Sequence, residues 1–374
     1  MYLEDINVNE TDLIDGNGIN LTVELESSPK KARERNSTIE RQLRKEKREA
    51  EMKDIKKVLI LGAGDSGKST LVRQIRLTNA VPFTGEEKNF FKKVIWGNIL
   101  LSMKNLVIGS EFLGININSW DFLNDAILIK EYVYDKKLMK IEDEVCNALR
   151  RLWDDPNIKV CFERRNEIKN LHIQDTSVNY FNDLNRILDC NYEPTDQDIV
   201  LSRRATLNIT ETSVSIKLGN FKFFDVGGQK HLRNFWAPYF DEVNAIIFVA
   251  ALSSFNEVME EDDSTNRMVD CISLFKAIVN NPLLTKAPII LFFNKNDLFK
   301  EKLKTYKLVN YFSDYKEQQT EKSAVSFFTN KFKETTNRNL SHIHLTTGTD
   351  NKLMKKIIGS VLEIIMRGRI EAVL

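Results

Sequence analysis

The sequence predicts an α/β protein: a mostly parallel sheet with helices on both faces, interrupted by a long all-helical insertion. Three observations carry this reading. Apolar runs at residues 58–61, 221–224 and 289–293 each end in a polar corner rich in Gly, Asp or Asn, and in open α/β sheets such strand ends are where ligands bind. From Asn208 onward, strand-like runs alternate with helical patterning, and strands are expected at 214–218, 221–225, 245–250, 289–294 and 342–346. Between Glu86 and Cys190, by contrast, the spacing is helical, as in Phe90-Phe91-x-x-Val94-Ile95 and Met139-x-Ile141-x-x-x-Val145.

In chain order, residues 1–29 carry seven acids and no Lys or Arg, and are expected to form a flexible acidic extension. Residues 30–54 read as one charged, basic helix; from Lys30 to Lys57 twelve Lys or Arg face six acids, with few apolar residues (Ile39, Leu43, Met52). Residues 55–81 and 200–374 are assigned to the α/β domain, and 82–199 to the helical insertion. The last helix, near 352–367, is amphipathic, and its apolar face is expected to pack on the sheet.

Composition narrows the functional classes. At 374 residues the chain is long enough for two domains. Lys plus Arg number 54 and Asp plus Glu 53, a balance that argues against a nucleic-acid partner. Cys146, Cys161, Cys190 and Cys271 have neither metal nor disulfide spacing, which fits a reduced compartment. His342-x-His344 reads as a pair on one face of a strand rather than a metal site. No apolar run is long enough to span a membrane.

The corners carry the chemistry. After the run at 58–61 comes Gly62, Ala63, Gly64, Asp65, Ser66, Gly67, Lys68, Ser69 and Thr70. This is a complete phosphate-binding loop: its glycines let backbone N–H groups point inward, Lys68 adds a point charge, and the Ser69 hydroxyl can ligate Mg²⁺. The residues that follow are helical, so the positive end of that helix faces the anion. Asn294-Lys295-Asn296-Asp297 ends another apolar strand. The Asp297 carboxylate can accept from the two adjacent donors of guanine; adenine has no such pair, which disfavours an ATPase. Between them lies Asp225-Val226-Gly227-Gly228-Gln229. There Asp225 can hold Mg²⁺ through water, Gly228 can offer an N–H to the γ-phosphate, and Gln229 can orient an attacking water.

With these motifs the chain resembles the α subunit of heterotrimeric G proteins, from about Ser37 to its end. Two features separate it from small GTPases: the insertion of over a hundred residues, and Arg203-Arg204-Ala205-Thr206, which resembles the first switch. Further matches are Trp153 in the insertion, the segments 182–187 and 194–198, Asn266-Arg267-Met268 as the third switch, and 346–350 as the loop behind the guanine. The resemblance implies a Ras-like P-loop GTPase domain with an inserted all-helical domain. It implies GTP or GDP as ligand and Mg²⁺ as cofactor, held by Ser69 and Thr206, with Asp225 acting through water. Catalysis falls to Gln229 and to Arg203 as a built-in arginine finger, for which the G protein α subunit is itself the standard example. Nucleotide contacts are also expected at Asp175, Thr176, Val200, Leu201, Ser202, Thr347, Gly348 and Thr349. Implied partners are a beta–gamma dimer, a G protein-coupled receptor, an effector and an RGS-type GTPase activator.

Several positions depart from the family pattern. Asp65 stands where Glu is usual; in the family that longer carboxylate helps latch the phosphate loop to the Arg203 region, so weaker nucleotide retention is expected. Ala205 and Leu201 replace common basic residues, Asn208 a usual Gly, and Lys230 a usual Arg. Thr347-Gly348 replaces Cys-Ala, and the Gly348 N–H is expected to meet the guanine oxygen. Two readings therefore stand: a GTP-hydrolysing signalling switch, or a GTP-binding interaction protein with little hydrolysis. The common lipidation signal is missing, since Tyr2 replaces the acceptor glycine and no Cys lies near it. Peripheral residence at the cytoplasmic face of the plasma membrane is accordingly expected through partners.

Overall fold

A computed structural model describes residues 13–14, 20–21, 55–116, 120–135, 140–168, 171, 173–217, 219–259, 261 and 264–367. The chain forms two compact units, Met1–Ile55 and Lys56–Leu374. In the first, Leu13–Ile14 pairs antiparallel with Asn20–Leu21; the rest of the acidic extension and the basic helix lie outside the described residues.

The larger unit is organised by a six-stranded sheet in the order β2-β3-β1-β4-β5-β6. Its strands are β1 (Ile55–Leu61), β2 (Thr210–Ile216), β3 (Gly219–Asp225), β4 (Ala245–Ala251), β5 (Ile289–Asn294) and β6 (His342–Leu345). The pairs β1–β4, β4–β5 and β5–β6 are parallel. Every residue of β4 and β5 is buried, as expected of parallel strands covered on both faces. Alternation along β1 sends Leu59 and Leu61 to one core and Val58 and Ile60 to the other. The first core is filled by α9 (Arg267–Val279), α10 (Asn296–Thr305) and α11 (Glu321–Lys333), with Phe275, Phe299, Phe328 and Phe332 fully buried. The second is closed by α1 (Lys68–Thr78) and α12 (Asn351–Arg367), through Leu71, Ile75, Ile358 and Leu362.

The strand expected at 214–218 is displaced: β2 begins at Thr210 and ends at Ile216, in register with all of β3 from Thr210↔Asp225 to Ile216↔Gly219. Its polar start, Thr210-Glu211-Thr212, is an antiparallel edge whose side chains are largely solvated, so it carries no apolar signal.

Between α1 and β2 the described chain is helical: α2 (Gly85–Phe112), α3 (Trp120–Glu131), α4 (Asp143–Asp154), α5 (Pro156–Glu163), α6 (Ser177–Phe181), α7 (Leu184–Ile187) and α8 (Asp196–Leu201). Helix α2 opens with a capping box in which Thr84 and Glu87 satisfy each other's backbone N–H groups. A third core joins Ile99, Met103 and Leu106 of α2 to Leu149, Leu152 and Trp153 of α4. Trp153 stacks on Phe181 at 4.7 Å and donates to Asn182 Oδ1 at 3.0 Å.

Candidate functional site

The loop after β1 turns directly into α1. Gly67 caps that helix in a left-handed conformation (φ 98°) with no side-chain cap. The first N–H groups of α1 are thus left for a ligand. A Cβ at Gly67 would collide with Asn294 Nδ2, so glycine is required by space as well as by φ. Lys68 Nζ is buried and donates to the carbonyl oxygens of Gly62 (3.1 Å) and Ala63 (2.8 Å). Burial lowers its pKa to about 8, with Asp225 and Asp65 pulling the other way.

This loop floors a cavity of about 380 Å³, within the range of small-molecule sites. Of the residues expected from sequence, Ala63, Gly64, Asp65, Ser66, Gly67, Lys68, Ser69, Thr70, Asp175, Thr176, Leu201, Ser202, Arg203, Thr206, Gly228, Gln229, Asn294, Lys295, Asp297, Gly348 and Thr349 line it. Gly62, Val200, Asp225 and Thr347 do not.

At the phosphate-loop end, Ser69 Oγ and Thr206 Oγ1 are 2.7 Å apart. Behind them Asp225 is buried and its Oδ1 has no hydrogen-bond partner. Burial pushes the Asp225 carboxyl up, against the opposing pull of Lys68 and a hydrogen bond from Ser69. Gly228 passes so close to Lys68 Nζ and Ala63 that any Cβ would collide with both. Gln229 lies alongside, its Cγ 3.6 Å from where a Cβ on Gly64 would stand.

A charged network borders the opening. Asp65, in the left-handed region (φ 56°), reaches Arg203 Nε at 3.4 Å, Lys295 Nζ at 3.0 Å and Arg267 Nη2 at 3.7 Å. The short carboxylate therefore does bridge the phosphate loop to the Arg203 segment. Lys295 also faces Asp175 at 3.7 Å, and Asp175 pairs with Arg165 at 3.0 Å. Burial alone would raise the Asp175 carboxyl, but Lys295 and Arg165 hold it below the usual range. Arg267 also donates to the Gly64 carbonyl at 2.9 Å.

At the other end Asn294 acts as a tie. Its Nδ2 donates to the Ser66 carbonyl (2.9 Å), and its Oδ1 accepts from the Gly348 N–H (2.9 Å) and Thr346 Oγ1 (3.1 Å). The Gly348 N–H, expected from sequence to meet the base oxygen, is here donated to Asn294. Asp297 is exposed to the cavity mouth and accepts from Thr347 Oγ1 at 3.5 Å.

Sequence reasoning missed several participants. Asn98 of α2 accepts from the Arg203 N–H (2.8 Å) and donates to the Arg203 carbonyl (2.9 Å), so one buried amide holds both backbone groups of that residue. The only hint was an Asn within the apolar run of residues 94–103. Arg73 donates to the Ser202 carbonyl at 2.6 Å and lies over the Phe91 ring; burial lowers its pKa to about 10. Arg165 gave no signal at all. His342 and His344 share a face of β6 as expected, and no cluster of three or more His, Cys, Asp or Glu side chains able to hold a metal occurs among the described residues.

A phosphate loop with an uncapped helix, a buried carboxylate behind it and an Asn-Lys-x-Asp corner opposite define a P-loop nucleotide-binding protein. The chain matches the family described as G-protein alpha subunit over residues 33–365, and it belongs to that family. It is 36% identical over 339 residues to the G(o) subunit alpha of Caenorhabditis elegans, covering 90% of this chain and 94% of the relative. It is 36% identical over 340 residues to the alpha-1 subunit of Mycosarcoma maydis (90% and 95%). With the alpha-2 subunit of Caenorhabditis elegans it shares 35% identity over 316 residues (84% and 89%). As a member of this family the chain is a guanine nucleotide-binding α subunit, a signal-transducing GTPase switch.

Proposed function

We propose that the cavity holds GTP or GDP with its phosphates on the loop from Gly62 to Thr70 and its base between Asn294, Lys295, Asp297 and the 347–349 turn. The observation that carries this is the convergence of Gln229 and Arg203 on that loop: Gln229 lies against Gly64, and Arg203 is tied to Asp65. Gln229 orients the attacking water and Arg203 neutralises charge that develops on the transferred phosphoryl group. Mg²⁺ fits the adjoining donor set, in which two hydroxyls already meet and a buried carboxylate oxygen lacks a partner. Ser69 and Thr206 would hold the ion, with Asp225 acting through water; when bound, it supplies positive charge to the phosphate oxygens. The division into a GTPase domain (55–81 and 200–374) and an inserted helical domain (82–199) is supported by their separate hydrophobic cores.

Single-turnover hydrolysis tests the assignment. Gln229→Leu and Arg203→Ala should each bind GTP and hydrolyse it at least 100-fold more slowly. Unchanged rates in both would reject the catalytic roles. Binding without measurable turnover in the wild type would leave a GTP-dependent interaction protein.

Family membership supports a beta–gamma dimer and a G protein-coupled receptor as partners, with an effector and an RGS-type activator. It also supports peripheral residence at the cytoplasmic face of the plasma membrane through those partners. Fractionation of the subunit expressed alone and washed in high salt tests the last point: retention on membranes would contradict it.

A further inference from the structure

The turn that would face the base, residues 346–349, is held from behind by three side-chain amides in series. Gln74 of α1 donates through Nε2 to the Gly348 carbonyl (2.9 Å) and to Asn351 Oδ1 (2.7 Å). Asn351, the first residue of α12, donates through Nδ2 to Gln197 Oε1 at 2.9 Å. Gln197 of α8 completes the series by donating through Nε2 to the Thr349 carbonyl at 3.2 Å.

The polarity of this chain is not free. Gly348 and Thr349 offer only carbonyl oxygens at its two ends, so both glutamines must point their NH₂ groups at the turn. Gln197 then presents its oxygen to Asn351, which must answer with its own NH₂ and so leave its oxygen for Gln74. All three amide orientations follow from two backbone acceptors, and reversing any one breaks a neighbour. The series also crosses three elements: the phosphate-loop helix, the last helix of the insertion, and the start of α12. Gln74 is buried, while Asn351 is exposed.

We infer that Gln197 and Asn351 are positioning residues for nucleotide retention. They touch no part of the cavity, and act by fixing the two carbonyls of the turn so that its other face stays shaped for the base. This rests on the site holding a guanine nucleotide as proposed above. Loss of one link lets the Thr349 end of the turn relax while Gln74 still holds Gly348, so release accelerates without collapse of the fold. A lost hydrogen bond of this kind is worth ~1 kcal/mol, which as a rate ratio is about fivefold.

The test is dissociation of a fluorescent GDP analogue from the full chain, followed beside single-turnover GTP hydrolysis of preloaded protein. Gln197→Ala removes the donor to Thr349. Asn351→Asp keeps the acceptor for Gln74 and removes only the donor to Gln197. Each should release GDP about fivefold faster, with hydrolysis of bound GTP unchanged. The double variant should release no faster than Gln197→Ala alone, because the two changes cut one chain. Release at the wild-type rate in Gln197→Ala overturns the inference. So does an additive double variant, or a parallel fall in hydrolysis, which a merely structural role would give. Wild-type protein that fails to bind the GDP analogue would instead defeat the nucleotide assignment itself, before any variant is compared.

Discussion

Removing the Asn98 side chain should slow GTP hydrolysis although Asn98 is not among the residues that line the cavity. The residue belongs to the helical insertion, yet its amide is the partner of both backbone groups of Arg203, at 2.8 and 2.9 Å. Asn98 is buried, so Asn98→Ala leaves an N–H and a carbonyl without their protein partner. At ~1 kcal/mol per bond the loss is ~2 kcal/mol. If all of it falls on the placement of Arg203 in the transition state, the rate drops by about 30-fold. If solvent replaces one bond, the drop is about fivefold. Asn98→Asp separates the two bonds: its carboxylate still accepts from the Arg203 N–H but cannot donate to the carbonyl, so an intermediate rate is expected. The assay is single-turnover hydrolysis on nucleotide-loaded protein, with thermal unfolding measured alongside. Arg203→Ala added to Asn98→Ala should cost little more than Arg203→Ala alone, since Asn98 acts through Arg203. A rate within twofold of wild type in Asn98→Ala would refute the reasoning, and so would full additivity with Arg203→Ala.

Three further outcomes are expected. Asp297→Asn should reduce the preference for GTP over ATP by roughly 10- to 100-fold, because an amide cannot accept from two donors as a carboxylate does; competition binding with an intact preference would contradict the base assignment. Ser69→Asn should weaken Mg²⁺-dependent GTP binding by at least about 10-fold, and a magnesium titration superimposable on wild type would remove Ser69 from the ligand set. Burial alone would raise the Asp198 carboxyl, but hydrogen bonds from Arg186 and from Thr195 outweigh it and hold it below the ordinary value. Its folded pKa is thus depressed, so its contribution to stability is full above the unfolded value of about 3.9. That contribution is lost as pH falls through the lower folded value; Asp198→Asn should melt earlier at neutral pH and show a shallower acid loss than wild type.

Much of this site was legible because phosphate binding is done by backbone, and backbone geometry leaves a signature in glycine spacing. Gly62, Gly67 and Gly228 sit where a side chain would strike a neighbour or the φ forbids one, and each was visible as a motif position. The strands were legible for a similar reason: β4 and β5 are buried throughout, so their composition is uniformly apolar. β2 was legible only in its second half, since the solvated first half of an edge strand takes its position from pairing with β3 rather than from its own residues. Asn98 and Arg73 were illegible because they act across long separations on backbone groups that every residue possesses, and Arg165 because it pairs with a single charge ten residues on. Asp65 shows why a departure from a family pattern is weak evidence until geometry is known. Its side chain is one methylene shorter than the usual Glu, which predicted a loosened latch to the Arg203 segment. Yet its left-handed backbone, which Asp tolerates better than most residues, brings the carboxylate within 3.0 to 3.7 Å of Lys295, Arg203 and Arg267 together. A longer side chain at this position has to fold back to meet the same three cations, with one more rotatable bond to fix. The substitution therefore changes the conformational freedom of the latch rather than removing it, and Arg203 stays tied to the phosphate loop.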